Sequence, residues 1–120
     1  MGLQLARFSR DIDLAHVRVE DVRPYFEHAA QVDFEMFLCM LREAGEHSAE
    51  DLLPQIEIPA LLVAGERDSF TPPALSEAMA QAMPKGEFVL VPGGSHILPL
   101  EERDRVNAAI AAFLSHVPMG

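Results

Sequence analysis

The sequence predicts an α/β fold in which parallel strands alternate with helices, and three observations lead to this prediction. Residues 60–64 form a continuous apolar run without polar alternation, which is typical of a strand covered on both faces of a parallel sheet. Residues 87–91 have the pattern of a second strand, separated from the first by enough chain for a helical crossover. With 120 residues, of which 49% are hydrophobic, the chain has the length and composition of one folded domain.

Two short helices are expected within residues 1–47, ahead of the strands. The first covers about residues 20–30, and Pro24 should lie in its first turn or at a kink, because proline removes a helical N–H donor. The second covers about residues 32–44 and ends at Gly45. Its apolar residues recur at spacings of three and four, which predicts one apolar face made of Phe34, Phe37, Leu38 and Leu41 and widened by Met36 and Met40.

The later elements are expected in the order β-α-β-α. Ser48 and Asp51 have the spacing of a capping box, which predicts a brief helix before the first strand. After that strand, Thr71 and two prolines predict a helix start. The apolar side of this crossover helix is expected to consist of Leu75, Ala78, Met79, Ala82 and Met83. A single last helix follows residues 93–96, with a period carried by Val106, Ala109, Ile110, Phe113, Leu114 and Val117.

An acid and a histidine each follow one of the predicted strands by a few residues. Loops at the carboxyl ends of parallel strands gather together, so Asp68 and His96 are expected to meet. A carboxylate bonded to one ring nitrogen fixes the histidine tautomer and leaves the other nitrogen to act as a general base. Taken singly, Asp68 is consistent with a residue that caps or stabilises its loop, and His96 is consistent with an exposed loop histidine. The two residues together, each following its own strand, favour descent from a catalytic site.

No metal, cofactor or disulfide is expected from the other reactive side chains. Cys39 is the single cysteine and is expected to pack on its apolar helix face. Ser95 lies beside His96 but lacks the strand-to-helix turn that exposes a nucleophilic serine, so a structural role is predicted. The remaining histidines have no spacing suited to a metal site: His16, His28, His47 and His116.

The acidic composition excludes some classes of partner. A formal net charge of −10 argues against nucleic acid and against anionic membranes, which both require clustered basic residues. No apolar run approaches the roughly 18 residues needed to span a bilayer, and the first residues lack the apolar core of a signal peptide. With one cysteine, a reducing, cytoplasmic location is expected.

Residues 53–59, 61–68, 70–73 and 89–96 together closely resemble the C-terminal portion of the α/β-hydrolase superfamily. The resemblance implies that residues 48–120 form the C-terminal part of the parallel core and residues 1–47 a helical cap or lid. It implies that Asp68 is the acid and His96 the base of a catalytic triad. It also implies an apolar acyl pocket lined by Phe34, Met36, Phe37, Met40 and Phe70; for the four residues of the second helix, packing in the core is the favoured alternative.

The family's G-x-S-x-G nucleophile turn has no counterpart in these 120 residues. The sequence is therefore interpreted as a truncated serine hydrolase, whose complete form acts without a cofactor on an ester, thioester or similar small acyl substrate. By itself the chain is expected to be inactive and to form a homodimer or aggregate through uncovered sheet edges. Two alternatives stay open: a non-catalytic hydrolase-fold scaffold for oligomerisation or ligand binding, and an acyltransferase of the same fold.

Overall fold

A computed structural model describes residues 14–118 of the chain. A short 3-10 helix at Leu14–His16 is followed by α1 (Val19–Ala29) and α2 (Phe34–Glu46), and a second 3-10 helix covers Glu50–Gln55. The remaining elements are β1 (Ala60–Gly65), α3 (Pro73–Ala82), β2 (Gly86–Val91), α4 (Leu98–Glu101) and α5 (Arg103–His116).

The two strands form a parallel sheet, which confirms the predicted pairing. Their register runs from Ala60 opposite Gly86 to Gly65 opposite Val91. Helix α3 is the crossover and packs against both strands. Since both strands end at the same edge, the loops that follow Gly65 and Val91 lie side by side.

The prediction that β1 is covered on both faces is met only in part among residues 14–118. Residues 60–63 are only partly buried, and full burial is reached at Ala64 and Gly65. Within residues 14–118, β1 has one hydrogen-bonded neighbour, β2, so its other edge is open. Helices α3 and α5 both contact β1, whereas its second edge is unpaired among the described elements.

A small core lies beneath the carboxyl ends of the strands. It consists of Val91 from β2, Leu98 from α4 and Val106 from α5, with Val63 of β1 packed against them. The apolar side predicted for α3 is partly wrong, because Leu75 and Met79 are exposed. The buried residues of this region are instead at its C-terminal end, Ala80 in the helix and Met83 just after it.

The predicted helix boundaries need three corrections in the N-terminal half. Of the two positions expected for Pro24, the first turn of α1 is excluded, because Pro24 lies in the second turn. Helix α2 begins later, because the Asp33 carboxylate caps it by accepting the N–H of Met36 at 3.0 Å, and it continues through Gly45 to Glu46. The capping box expected at Ser48 does not form: the next helix is a 3-10 helix whose N-cap, Ala49, makes no side-chain hydrogen bond.

The single last helix that the sequence predicts is two helices in the structure. Helix α4 ends at Glu101, and α5 begins at Arg103. Glu102 between them has φ −121° and ψ 43°, which lies outside the helical region. The break turns α4 into a separate short element beneath the loop that carries His96.

Helices α1 and α2 contain no buried residues. An ion pair between Asp21 and Arg103, at 2.7 Å, links α1 to the start of α5. Cys39 is exposed, which corrects the expectation that it packs in an apolar interface. The division into a cap over residues 1–47 and a core over residues 48–120 stays a prediction, and residues 1–13, 119 and 120 lie outside the described part. In that part, no helix combines the length and apolarity needed to cross a bilayer.

Candidate active site

The first loop of the site holds Asp68 rigidly. Its carboxyl group is 8% exposed, and Oδ1 accepts the backbone N–H groups of Phe70 at 3.0 Å and Thr71 at 2.9 Å. Oδ2 accepts the Thr71 hydroxyl at 2.9 Å. Thr71 therefore does not cap α3 as predicted: the N-cap is Pro72, and the Thr71 hydroxyl serves Asp68 instead. Short polar side chains make such local bonds readily, so this loop is shaped by its own sequence.

The second loop, residues 92–97, carries His96 and is tied to the first by backbone contacts. Gly93 has φ +70°, a conformation that glycine adopts without a steric penalty. The N–H of Arg67 donates to the carbonyl of Gly94 at 2.8 Å. The chains approach so closely that a Cβ on Gly65 would lie 2.7 Å from the carbonyl oxygen of Ser95. Glycine at the end of β1 is thus required for the two loops to touch.

The expected meeting of Asp68 and His96 is observed. Nδ1 of His96 lies 3.0 Å from Oδ2 of Asp68. The carboxylate is buried, whereas the His96 side chain is 41% exposed, so the ring extends from a buried acid to the surface. The Phe70 ring lies against the His96 ring, with centroids 4.9 Å apart and planes tilted by 54°.

Asp68 is held in its ionised form. Burial raises the pKa of its carboxyl group, but hydrogen bonds from the Thr71 N–H, from His96 and from the Thr71 hydroxyl together outweigh burial and lower the pKa below its ordinary value. An ionised carboxylate can only accept, so Nδ1 of His96 must carry the shared proton. The neutral ring then presents Nε2 as its basic nitrogen.

A pocket of about 250 Å³ lies beside the pair. Asp68 and His96 contribute polar atoms to its wall, and Val63, Leu98 and Val106 contribute apolar surface. The site therefore combines a paired base with a mainly apolar space next to it, as is common for small-molecule sites. Within the described residues, no group of three His, Cys, Asp or Glu side chains is arranged to hold a metal ion.

The structure brings one of the five predicted substrate-binding residues to His96. Phe70 lies there, against the ring, but is 69% exposed. The other four are all on α2, are exposed and do not line the pocket: Phe34, Met36, Phe37 and Met40. Neither the favoured core role nor a place at the site is found for them in the described part of the fold. Their contact with a substrate stays a prediction.

Sequence reasoning missed two residues that shape the site. The sequence pattern places Thr71 at the helix start, although a hydroxyl three residues after an Asp is a local signal for a side-chain bond. Glu101 went unnoticed, because it contacts Ser95 across a turn that no local pattern marks. Ser95 is fully buried and its hydroxyl donates to Glu101 at 2.9 Å, which fits the structural role expected for it.

Parallel strands joined by a crossover helix, with an acid after one strand and a histidine after the next, define the C-terminal part of an α/β-hydrolase. Comparison with known families agrees. Residues 24–118 match the family described as TAP-like protein. The chain belongs to this family of the α/β-hydrolases.

Individual relatives include enzymes of acyl chemistry. The chain is 36% identical over 66 residues to a pimeloyl-[acyl-carrier protein] methyl ester esterase of Xanthomonas oryzae pv. oryzae, covering 55% of this chain and 26% of the esterase. It is 28% identical over 98 residues to an L-allo-isoleucyltransferase of Pseudomonas savastanoi pv. glycinea, covering 82% of this chain and 34% of that protein.

A solved structure, a thermophilic esterase from Thermogutta terrifontis, superposes with a TM-score of 0.54 at 39% identity, covering 56% of this chain and 25% of the esterase. Across these three comparisons, the chain spans between a quarter and a third of the relative's length.

Proposed function

We propose that the complete protein is a serine hydrolase that cleaves an ester, thioester or similar acyl substrate, with Asp68 and His96 as the acid and base of its triad. The observation that carries this proposal is the 3.0 Å contact between a buried carboxylate and Nδ1 of a partly exposed histidine. This geometry orients the ring and stabilises the imidazolium that forms when Nε2 accepts a proton.

In the proposed mechanism, Nε2 of His96 removes the proton of a serine hydroxyl, and the serine oxygen attacks the acyl carbonyl carbon. The imidazolium then protonates the leaving alcohol or thiol as the acyl–oxygen or acyl–sulfur bond breaks. A water molecule, deprotonated by the same nitrogen, hydrolyses the acyl-enzyme and restores the serine. Asp68 stays ionised throughout and offsets the positive charge on His96.

The nucleophile is not Ser95. Its side chain is fully buried and its hydroxyl is bound to the Glu101 carboxylate, so it reaches neither a substrate nor a base. The sequence contains no G-x-S-x-G motif, so the proposal places the serine in a part of the fold outside these 120 residues. The named esterase relatives support an acyl substrate, and the pocket beside His96 supports an apolar one.

The first test is the chain itself, assayed with a short-chain nitrophenyl ester. We expect no turnover, because the nucleophile and the oxyanion donors supply the large contributions to catalysis. Turnover that His96→Ala abolishes would show that the chain contains its own nucleophile and would overturn this assignment.

The second test is a chimera in which residues 48–118 replace the matched quarter of the Thermogutta terrifontis esterase. We expect esterase activity that is lost on His96→Ala. His116→Ala is the matched control, because His116 lies at the end of α5 and bonds Glu87, away from the acid and base. An active chimera that tolerates His96→Ala would contradict the proposed role of His96.

An acyltransferase is the second candidate, favoured by the relative named as an L-allo-isoleucyltransferase, which the chain matches over 82% of its own length. The acid and base have the same roles in both reactions, and only the acyl acceptor differs. In the active chimera, added alcohols and amines should compete with water for the acyl group if the pocket selects an acceptor. Product ratios that do not change with added acceptor would favour the hydrolase.

We further infer that the 120-residue chain by itself associates into dimers or larger species. Among residues 14–118, the edge of β1 opposite β2 is unpaired and the apolar residues of α2 are exposed, and isolated domains rarely leave such surfaces uncovered. Solution scattering over a concentration series measures this directly, and a monodisperse monomer at all concentrations would contradict it.

A further inference from the structure

One carboxylate fastens the loop that carries His96. Glu101, the last residue of α4, uses both of its oxygens on Ser95: Oε1 accepts the backbone N–H of Ser95, and Oε2 accepts its hydroxyl at 2.9 Å. Ser95 precedes His96 directly and has no exposed surface. The side chain of Glu101 thus ties Ser95 to α4, and His96 lies in the segment between these two residues.

This contact satisfies two buried polar groups at once. The Ser95 N–H and hydroxyl are shielded from water, and a buried donor left without a partner costs about 1–3 kcal/mol. On the other side of the loop, the carbonyl of Gly94 accepts the N–H of Arg67. The backbone that precedes His96 is therefore held from both directions, by α4 and by the loop of Asp68.

The position of the His96 ring depends on this backbone. Asp68 is fixed independently by Phe70 and Thr71, so the length of its bond to Nδ1 is decided by the loop of His96. The bond is 3.0 Å long, and a displacement of the loop by about 1 Å would take it outside hydrogen-bonding range. A side chain that lies away from the reacting atoms can in this way control the geometry on which catalysis depends.

We propose that Glu101 is a positioning residue for the acid–base pair: by binding Ser95, it holds the His96 ring where Nδ1 donates to Asp68. The inference rests on the proposed function, in which that bond prepares Nε2 as the base. Both oxygens of Glu101 are bound to Ser95, so its proposed action on His96 is indirect. Its effect is geometric, so the shape of a planar, bidentate group matters and its negative charge does not.

The test is ¹⁵N NMR of the imidazoles in the full 120-residue chain, which distinguishes the Nδ1–H from the Nε2–H tautomer of neutral His96. Wild type should show mainly Nδ1–H, and Asp68→Asn sets the level reached when the acceptor carboxylate is absent. Glu101→Ala should lose the Nδ1–H preference and approach that level. Glu101→Gln should retain it, because its amide oxygen accepts the Ser95 N–H and its NH₂ donates to the Ser95 hydroxyl oxygen.

Two further variants keep the test decisive. Glu101→Asp retains the charge but is one methylene shorter, so it should lose much of the Nδ1–H preference even if Glu101→Ala fails to fold. Glu102→Gln is the matched control: this neighbouring carboxylate pairs with Arg105 at 3.6 Å and should leave the tautomer unchanged.

The outcomes separate the two proposals. A folded Glu101→Ala chain with an unchanged tautomer overturns the positioning role alone. Loss of the Nδ1–H preference in Glu101→Gln but not in Glu101→Asp would show that charge is what matters, and it too overturns the inference. A wild-type chain in which His96 is mainly Nε2–H would instead contradict the acid–base pair itself, and the proposed function with it.

Discussion

Replacing Gly65 by alanine should separate the two loops of the site. The backbone at Gly65 has no positive φ, so the effect is steric rather than conformational. The added Cβ would lie 2.6 Å from the carbonyl carbon of Gly94 and 2.7 Å from the carbonyl oxygen of Ser95. These are backbone atoms, which cannot rotate away as the end of a side chain can, so one loop has to move.

The expected cost follows from three contributions. Overpacking a tight site costs about 1–3 kcal/mol. Loss of the bond from the Arg67 N–H to the Gly94 carbonyl adds about 1 kcal/mol. Alanine has less conformational entropy than glycine in the unfolded chain, which offsets about 0.4–1 kcal/mol of this cost. Gly65→Ala should therefore lower the free energy of unfolding by roughly 1–3.5 kcal/mol, with the contact between Asp68 and His96 weakened in the chains that stay folded.

The assay is urea unfolding followed by far-UV circular dichroism, because the chain has no tryptophan for fluorescence. Gly45→Ala is the matched control. A Cβ at Gly45 meets nothing within 4 Å, and alanine is favoured over glycine inside a helix by about 1 kcal/mol, so helicity should rise. If Gly65→Ala unfolds within about 0.5 kcal/mol of wild type, the range typical of neutral surface changes, the argument from loop contact fails.

Three other predictions concern bonds seen in the structure. The hydrogen bonds to Asp68 stabilise the fold above its ordinary pKa of 3.8 and are lost as pH falls through its lowered pKa. The difference in unfolding free energy between wild type and Asp68→Asn should therefore shrink in acid, and a constant difference would refute this. Asp33→Ala should cost α2 about 1 kcal/mol and lower helicity without moving the unfolding midpoint of the core, because α2 has no buried residues; a shifted midpoint would show that α2 is coupled to the core. The hydrogen bond to Glu87 raises the pKa of His116. The stability that this bond contributes is therefore present below pH 6.5 and is lost as pH rises through the raised pKa. Glu87→Gln should remove this pH dependence from thermal melting, and an unchanged pH profile would contradict the prediction.

The local sequence pattern was sufficient to predict the two strands and the positions of Asp68 and His96 after them. Apolar runs mark β1 and β2, and their order with a crossover between them requires a parallel pairing that brings both loops to one edge. It was insufficient for helix ends, since Asp33 fixes the start of α2, the helix continues through Gly45, and Glu102 divides the last helix. Helix boundaries depend on caps and on contacts with neighbouring elements, which periodicity does not encode.

The sequence by itself determined that this chain has a parallel β-α-β unit with Asp68 and His96 at the strand ends, because strand patterning and crossover topology follow from residues close together in the chain. Only the tertiary structure decided that Thr71 binds Asp68 and that Glu101 binds Ser95 beneath His96. It also decided which apolar faces are covered: α2 carries a helical apolar face, yet no element among residues 14–118 buries it. Burial and side-chain partners depend on what lies opposite in space, and that is a property of the assembled fold rather than of any one segment.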